Sequence, residues 1–263
     1  MSAKLFRFVL MAFVLVGISS CEKDEALNKR VLDKIIFHEN VDQVGKYVYN
    51  SDGKIMRYEY YFDKQLVEYY DFIYNREGKL VTKAYFEKKA SGAFVKIYED
   101  VLTYNASGQN DKITLGGPAG TKYFITWDGD KISRIDYITS YFGVEHRSFF
   151  VLEYDANKNV SQTTYYTIEG EDEIFNFVVN YEYDEKDNPK ANFPDPYDLI
   201  NNYNTPNNVV KIIQRSTLDG IPHTITDIVY QYNEFNLPTE KTETINSYGS
   251  VSEIHNKFFY KII

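Results

Sequence analysis

Apolar and polar residues alternate in short runs along most of this chain. In YVYNSDGKI, Tyr47 and Tyr49 sit at alternate positions, a polar stretch ending in glycine follows, and Ile55 resumes the apolar pattern. Strict two-residue alternation sends successive side chains to opposite faces of a strand, and Tyr, Phe, Val, Ile and Thr suit a pleated surface. The pattern returns in FIYNREGKL (Phe72 to Leu80), LEYDANKNV (Leu152 to Val160), YEYDEKDNP (Tyr181 to Pro189) and YQYNEFNLP (Tyr230 to Pro238). Aligned on the second aromatic, the copies fall at Tyr49, Tyr74, Tyr104, Trp127, Tyr154, Tyr183, Tyr232 and Tyr260, with steps of 25, 30, 23, 27, 29, 49 and 28. Periods of this size mark a repeated supersecondary unit, and helical spacing is nowhere sustained.

The unit reads as a β-hairpin. Between Tyr49 and Ile55 the residues fit a three-residue loop, a type I turn followed by a residue in the left-handed region, closed by Asn50 and Lys54 so that Tyr49 faces Ile55. The fourth residue after the key aromatic must then accept positive φ, which glycine, asparagine and aspartate do at least cost. Gly53, Gly78, Gly108, Asp187 and Asn236 fit, and Lys158 stands out as the exception. In the Trp127 copy Gly129 and Asp130 form a shorter loop that sets Trp127 opposite Ile132. Return turns fall at Asp63 to Gln65, around Gly92, at Gly116 to Gly120, Glu169 to Asp172, Leu218 to Gly220 and around Gly249. With a first strand at Val31 to Phe37, the pattern predicts an all-β fold, an antiparallel hairpin meander of roughly sixteen strands in a single domain spanning residues 31–263. So many twisted strands must curl or close, and closure removes exposed edges, so the expected form is a curled or barrel-like sheet. Glu99, Glu145, Arg147, Glu153, Asp227 and Gln231 occupy positions opposite the aromatics, where a membrane-spanning barrel would need an apolar band. The expectation is a soluble, lipid-anchored sheet.

The anchor is read from the first residues. MSAKLFR supplies Lys4 and Arg7, and the apolar run from Phe8 to Ile18 is too short to cross a bilayer, which takes about 20 residues, and has the layout of a secretory signal. Residues 1–20 are therefore expected to be a lipoprotein signal peptide. ISSC, ending at Cys21, resembles the lipobox of bacterial lipoproteins, which implies lipidation of Cys21 and an acylated tether over residues 21–30. Lys23, Asp24 and Glu25 resemble the export tag of surface lipoproteins in a group of Gram-negative bacteria. The implied address is the outer membrane, lipid-anchored and facing the cell exterior. Cys21 is the only cysteine, so no intrachain disulfide can form and stability must come from a core. The formal charge of −9 repels phosphate backbones and argues against nucleic acid as a partner.

The hairpin units resemble the tyrosine-aspartate repeats of wall-associated and Rhs-type bacterial proteins. Together with the lipoprotein head, the chain resembles a family of uncharacterised bacterial surface lipoproteins with a porin-like β fold. That likeness covers nearly the whole mature chain and implies an extracytoplasmic β protein, with no chemistry to transfer. Two departures stand out: Gly108 is followed by QNDK, and the last copy, FFYKII, ends before any turn.

Candidate chemistry is sparse. The longest break in the repeat, a loop insertion at residues 186–207, holds Pro189, Pro194, Pro196 and Pro206. Long loops in compact domains are often functional. DLINNYN is expected to form a short helix or plug, with Phe193, Tyr197 and Tyr203 beneath it as ligand-binding candidates; the plainer alternative is a proline-stiffened connection. Tyr60 and Tyr61, Tyr69 and Tyr70, or Tyr165 and Tyr166 would send one ring to each face, either as a glycan platform or, more simply, as cross-strand packing. His38, His146, His223 and His255 are scattered without ligand spacing, and the acidic runs at Glu169 to Glu173 and Asp128 to Asp130 do not match a calcium loop. No nucleophile elbow, P-loop or dinucleotide fingerprint is present. No catalytic residue, metal site or cofactor is expected. The expected role is a surface-exposed binding or scaffold module for polysaccharide, peptide or partner protein, reaching the outer membrane through its lipid. The alternatives are a structural component of outer-envelope assembly and a carboxylate-dependent glycan hydrolase.

Overall fold

A computed structural model describes residues 30–37, 42–117, 120–141, 143–191, 193, 205–216 and 222–263. The first half of the meander comprises β1 (Arg30–Phe37), β2 (Gln43–Tyr49), β3 (Ile55–Phe62), β4 (Gln65–Tyr74), β5 (Leu80–Lys88), β6 (Phe94–Tyr104), β7 (Asn110–Thr114) and β8 (Lys122–Asp128). The second comprises β9 (Lys131–Tyr141), β10 (Val144–Tyr154), β11 (Val160–Glu169), β12 (Asp172–Asp187), β13 (Asn207–Ser216), β14 (Pro222–Tyr232), β15 (Pro238–Ser247) and β16 (Ser250–Ile262). Each strand pairs antiparallel with its sequence neighbours, and β1 pairs with β16, so the sixteen strands close into a barrel. The predicted meander is present, and the choice left open between a curl and a barrel falls to the barrel.

The hairpin turns follow the expected geometry. Tyr49 pairs with Ile55, Tyr74 with Leu80, Tyr104 with Asn110, Trp127 with Ile132, Tyr154 with Val160 and Tyr232 with Pro238, each beside a one-residue register shift. The residue after the aromatic makes the loop rigid: Asn50 Oδ1 accepts from the backbone N–H of Asp52 and of Lys54, at 3.0 and 2.9 Å. Asn75, Asp155 and Asn233 repeat both bonds. This is the side-chain turn that Asn and Asp form most readily. Gly53 takes φ of +74°, and a Cβ there would also meet Ile263. Lys158, the exception in residue type, takes the positive φ that the turn demands, at 68°, because the Asp155 cap and the hairpin register fix its backbone whatever its side chain. One expectation needs correction. Asp187 is not a turn residue: β12 continues through it, and it pairs with Asn207 across the insertion.

A second regularity joins one hairpin to the next. The Tyr74 hydroxyl donates to the carbonyl of Ile55, Tyr104 to Leu80, Tyr154 to Ile132 and Tyr183 to Val160, while the Trp127 indole N–H donates to Asn110. Each acceptor is the residue that faces the preceding aromatic. The ring closes through the first and last strands: Tyr260 donates to Pro238, Leu32 of β1 faces Tyr260, and Tyr49 donates to Leu32. β1 thus stands where the second strand of a hairpin would face the last aromatic. A buried hydroxyl bonded to a carbonyl contributes about 0.5–1.5 kcal/mol net. Burial also disfavours the phenolate, pushing Tyr74 from its ordinary 10.0 up to about 12 and raising Tyr49, Tyr183 and Tyr260 further.

The core is uneven around the barrel. Among the described residues, all thirteen members of the central buried apolar cluster, from Leu32 to Val160, lie on β1 to β11. Ile113 and Ile135 are fully buried. Inward rings continue the packing as ladders, Tyr47, Tyr58, Tyr70, Tyr85 and Tyr98 in one and Tyr137, Phe150, Tyr165 and Phe177 in another. Tyr58 lies across Gly45, where a Cβ would collide with the ring.

Candidate functional site

The site grows from the one hairpin that does not close. Asp184 occupies the capping position of its copy and begins normally, its Oδ1 accepting from Lys186 N at 2.9 Å. The chain then leaves, and the second capping bond comes from Asn208 N at 3.3 Å, after residues 188–206. Tyr183 still meets its facing aliphatic residue, Val209. The insertion is thus spliced into a turn without disturbing the strands on either side. Its two ends are stitched together, Asn188 N to Pro206 O at 2.8 Å and Asn188 Nδ2 to Thr205 O at 2.9 Å. The neighbouring hairpin holds the exit: the fully buried Asn159 donates to Asn207 Oδ1 and accepts from Asn207 N, both at 3.0 Å. The displaced loop also redirects one tyrosine, since Tyr232 donates to the Asp184 carboxylate rather than to a carbonyl. Burial and that carboxylate both raise Tyr232 well above the ordinary tyrosine range.

Inside the barrel, Phe193 of the insertion packs edge-on against Tyr47, ring centroids 5.1 Å apart. Two cavities lie beside Asn188 and Pro189. The larger, of about 530 Å³, is walled by Tyr49, Tyr74, Tyr260 and Phe193 and carries Arg30, Asp52 and Lys54 as its charged residues. The smaller, of about 220 Å³, is walled by Val209, Ile212, Ile228, Tyr230 and Phe258, with Lys190, Lys241 and Glu243 as its charged residues. Lys241 and Glu243 form an ion pair. Lys241 faces Tyr230 and Glu243 faces Ile228 in register, so this charge points to the lumen; in the β4–β5 hairpin the position matching Lys241 is held by the buried Lys83, which faces Phe72. Burial, with Glu243 and Asp184 nearby, keeps Tyr230 protonated far into the alkaline range. The larger cavity is of the size and lining of small-molecule sites, which span roughly 300–1,000 Å³ and combine apolar walls with a few placed polar groups.

Of the sequence candidates, Phe193 packs against Tyr47. Tyr197, Tyr203, Cys21, Lys23, Asp24 and Glu25 lie outside the described residues, as does His38. The tyrosine pairs do split between faces: Tyr70 and Tyr165 join the inner ladders, while Tyr69 stacks on Phe86 and Tyr166 on Phe149 outside. Sequence reasoning missed Tyr230, Lys241 and Glu243. The signal available was parity, since PTEKTETINS places Lys241 and Glu243 on the same face as Ile245.

With that geometry in place, the chain can be set beside solved structures. A porin-like protein from Bacteroides uniformis matches with a TM-score of 0.51 at 14% identity, covering 90% of this chain and 96% of that one. A porin-like protein from Bacteroides vulgatus matches with a TM-score of 0.53 at 14% identity, covering 89% and 99%. A structure of TcdB2-TccC3-TEV overlaps at a TM-score of 0.35 and 9% identity, over 82% of this chain and 12% of that one, too little to argue from. No protein-family model and no curated relative matches. The two Bacteroides proteins share the barrel fold with this chain.

Proposed function

We propose that this protein is a lipid-anchored barrel of the bacterial cell envelope, which displays its lumen and loops as a binding module for a polysaccharide, peptide or partner protein and catalyses no reaction. The observation that carries the reading is the opened hairpin at Asp184, which lets an insertion enter the barrel and leaves cavities between it and the wall. The porin-like fold shared with the two Bacteroides proteins supports an envelope address. Outward charges favour a barrel surrounded by water over one that spans lipid: Arg57 pairs with Asp71, Arg134 with Asp136 and Lys211 with Asp227, all partway along their strands. A spanning barrel needs an outward apolar band about 25 Å tall. The lipobox resemblance at Cys21 supplies the anchor, and Lys23, Asp24 and Glu25 the route to the cell surface of the outer membrane. Two lumen carboxylates each have an oxygen engaged in a structural bond, Glu68 by the Tyr85 hydroxyl at 2.7 Å and Asp100 by Gly116 N at 3.1 Å, which favours binding over hydrolysis. Mass spectrometry of native material tests the anchor and is expected to show acyl chains on Cys21. Surface biotinylation of intact cells, followed by capture on glycan arrays and from envelope extracts, tests the module. An unlipidated Cys21, or no partner in either capture, overturns the corresponding half.

A further inference from the structure

The charge lining the lumen narrows the ligand. The chain as a whole is acidic, at −9, yet among the described residues both cavities carry more cations than anions. Arg30 and Lys54 stand against Asp52 in the larger, and Lys190 and Lys241 against Glu243 in the smaller. Cations in a concave, partly dehydrated space within an acidic surface focus the field inward and favour an anion there. A bare inorganic anion does not account for the walls. Tyr49, Tyr74, Tyr260 and Phe193 present ring surface to the larger cavity, and the Tyr230 side chain borders the smaller. Ring faces pack against the apolar faces of sugar rings, and polar groups between them orient hydroxyls.

We propose that the paired cavities bind an acidic sugar, a pyranose bearing a carboxylate, with the ring against the aromatic wall and the carboxylate toward the lysines. This inference rests on the binding-module reading and names its ligand class. Lys241 is already held by Glu243, so its side chain is oriented before the ligand arrives, and an ammonium has three donors to share.

The test uses the full chain and three probes in calorimetric titrations: galacturonate, its neutral methyl ester and acetate. Galacturonate is expected to bind roughly tenfold more tightly than the ester, with an affinity that falls as salt rises, and acetate is expected not to bind measurably. Joint replacement K190Q and K241Q is expected to bring galacturonate down to the level of the ester while leaving the ester unchanged. K54Q, at the turn-side cavity, supplies a second variant should the first fail to fold, with a loss of severalfold expected. Equal binding of acid and ester, or acetate as tight as galacturonate, overturns the proposal. So does no binding of galacturonate, whereas the module reading falls only if partner capture also fails.

Discussion

The arc from β1 to β11 and the arc from β12 to β16 are made from the same hairpin unit, yet among the described residues the central buried apolar cluster lies on the first alone. In the first, each closed turn delivers an aromatic and a facing residue to the lumen, and Leu32, Ile113, Ile135 and Phe72 are almost wholly buried. In the second, Ile212 and Gln214 are only half-buried, and Lys241 and Glu243 take inward positions. The repeat's strand geometry persists through both arcs, and two features set the second apart: the opened turn at Asp184 and the inward ion pair of Lys241 and Glu243 on β15. A tyrosine-rich repeat thus builds a rigid wall by default, and cavities lie beside the one turn that is expanded.

The largest expected effect tests this contrast in the core. Ile135→Ala removes a fully buried side chain from the packed arc and should cost about 3–4 kcal/mol, because the surrounding rings cannot collapse into the gap. Ile212→Ala, beside the 220 Å³ cavity, should cost only about 1–2 kcal/mol, since its neighbours already leave space. Urea unfolding of both variants measures the difference. Equal losses would mean that the second arc is as tightly packed as the first.

A smaller effect separates the two kinds of tyrosine bond. Tyr232→Phe strips a donor from the Asp184 carboxylate and should cost about 1.5–3 kcal/mol, the range for hydrogen bonds to charged groups. Tyr74→Phe loses a bond to a neutral carbonyl and should cost about 0.5–1.5 kcal/mol. The pH dependence adds a signature. Tyr74 is protonated in the folded state up to about 12, against an ordinary 10.0. Unfolding therefore releases a proton above pH 10, so the stability it contributes is whole below that value and is lost as pH climbs through 12. Tyr74→Phe should flatten that slope, as followed by denaturant titrations at a series of alkaline pH values.

Much of the packed arc is legible in the sequence because its causes are local. Alternation fixes which residues face inward, and Asn50, Asn75, Asp155 and Asn233 fix the turns, so pairings such as Tyr49 with Ile55 follow from counting residues. The bonds from tyrosine to carbonyl are not legible, because they join residues 17–24 positions apart through the curvature of a closed wall. Closure is not legible either, since the residue that faces Tyr260 in FFYKII is Leu32, in the first strand. The second arc is harder to read. YEYDEKD looks like one more copy until Asp187 is found still pairing in β12, and the lumen charges emerge only once the parity of β15 is known.

The finest test concerns Lys158, a turn position where composition and backbone disagree. The left-handed conformation costs an L-residue with a Cβ about 1–2 kcal/mol, which glycine avoids, although glycine gives some of that back through greater freedom when unfolded. Lys158 nonetheless holds φ at 68°, and its ammonium lies 2.6 Å from Asp130 on the adjacent hairpin. That bond keeps the Asp130 carboxyl below the ordinary carboxylate range. Lys158→Gly should therefore raise stability by about 0.5 kcal/mol, because an exposed ion pair adds little to oppose the relief of strain. In the same variant the Asp130 carboxyl should titrate at higher pH, visible by carbon-detected nuclear magnetic resonance. A destabilised variant with an unmoved Asp130 would mean that the side chain at this position, and not the geometry of the turn, holds the hairpin closed.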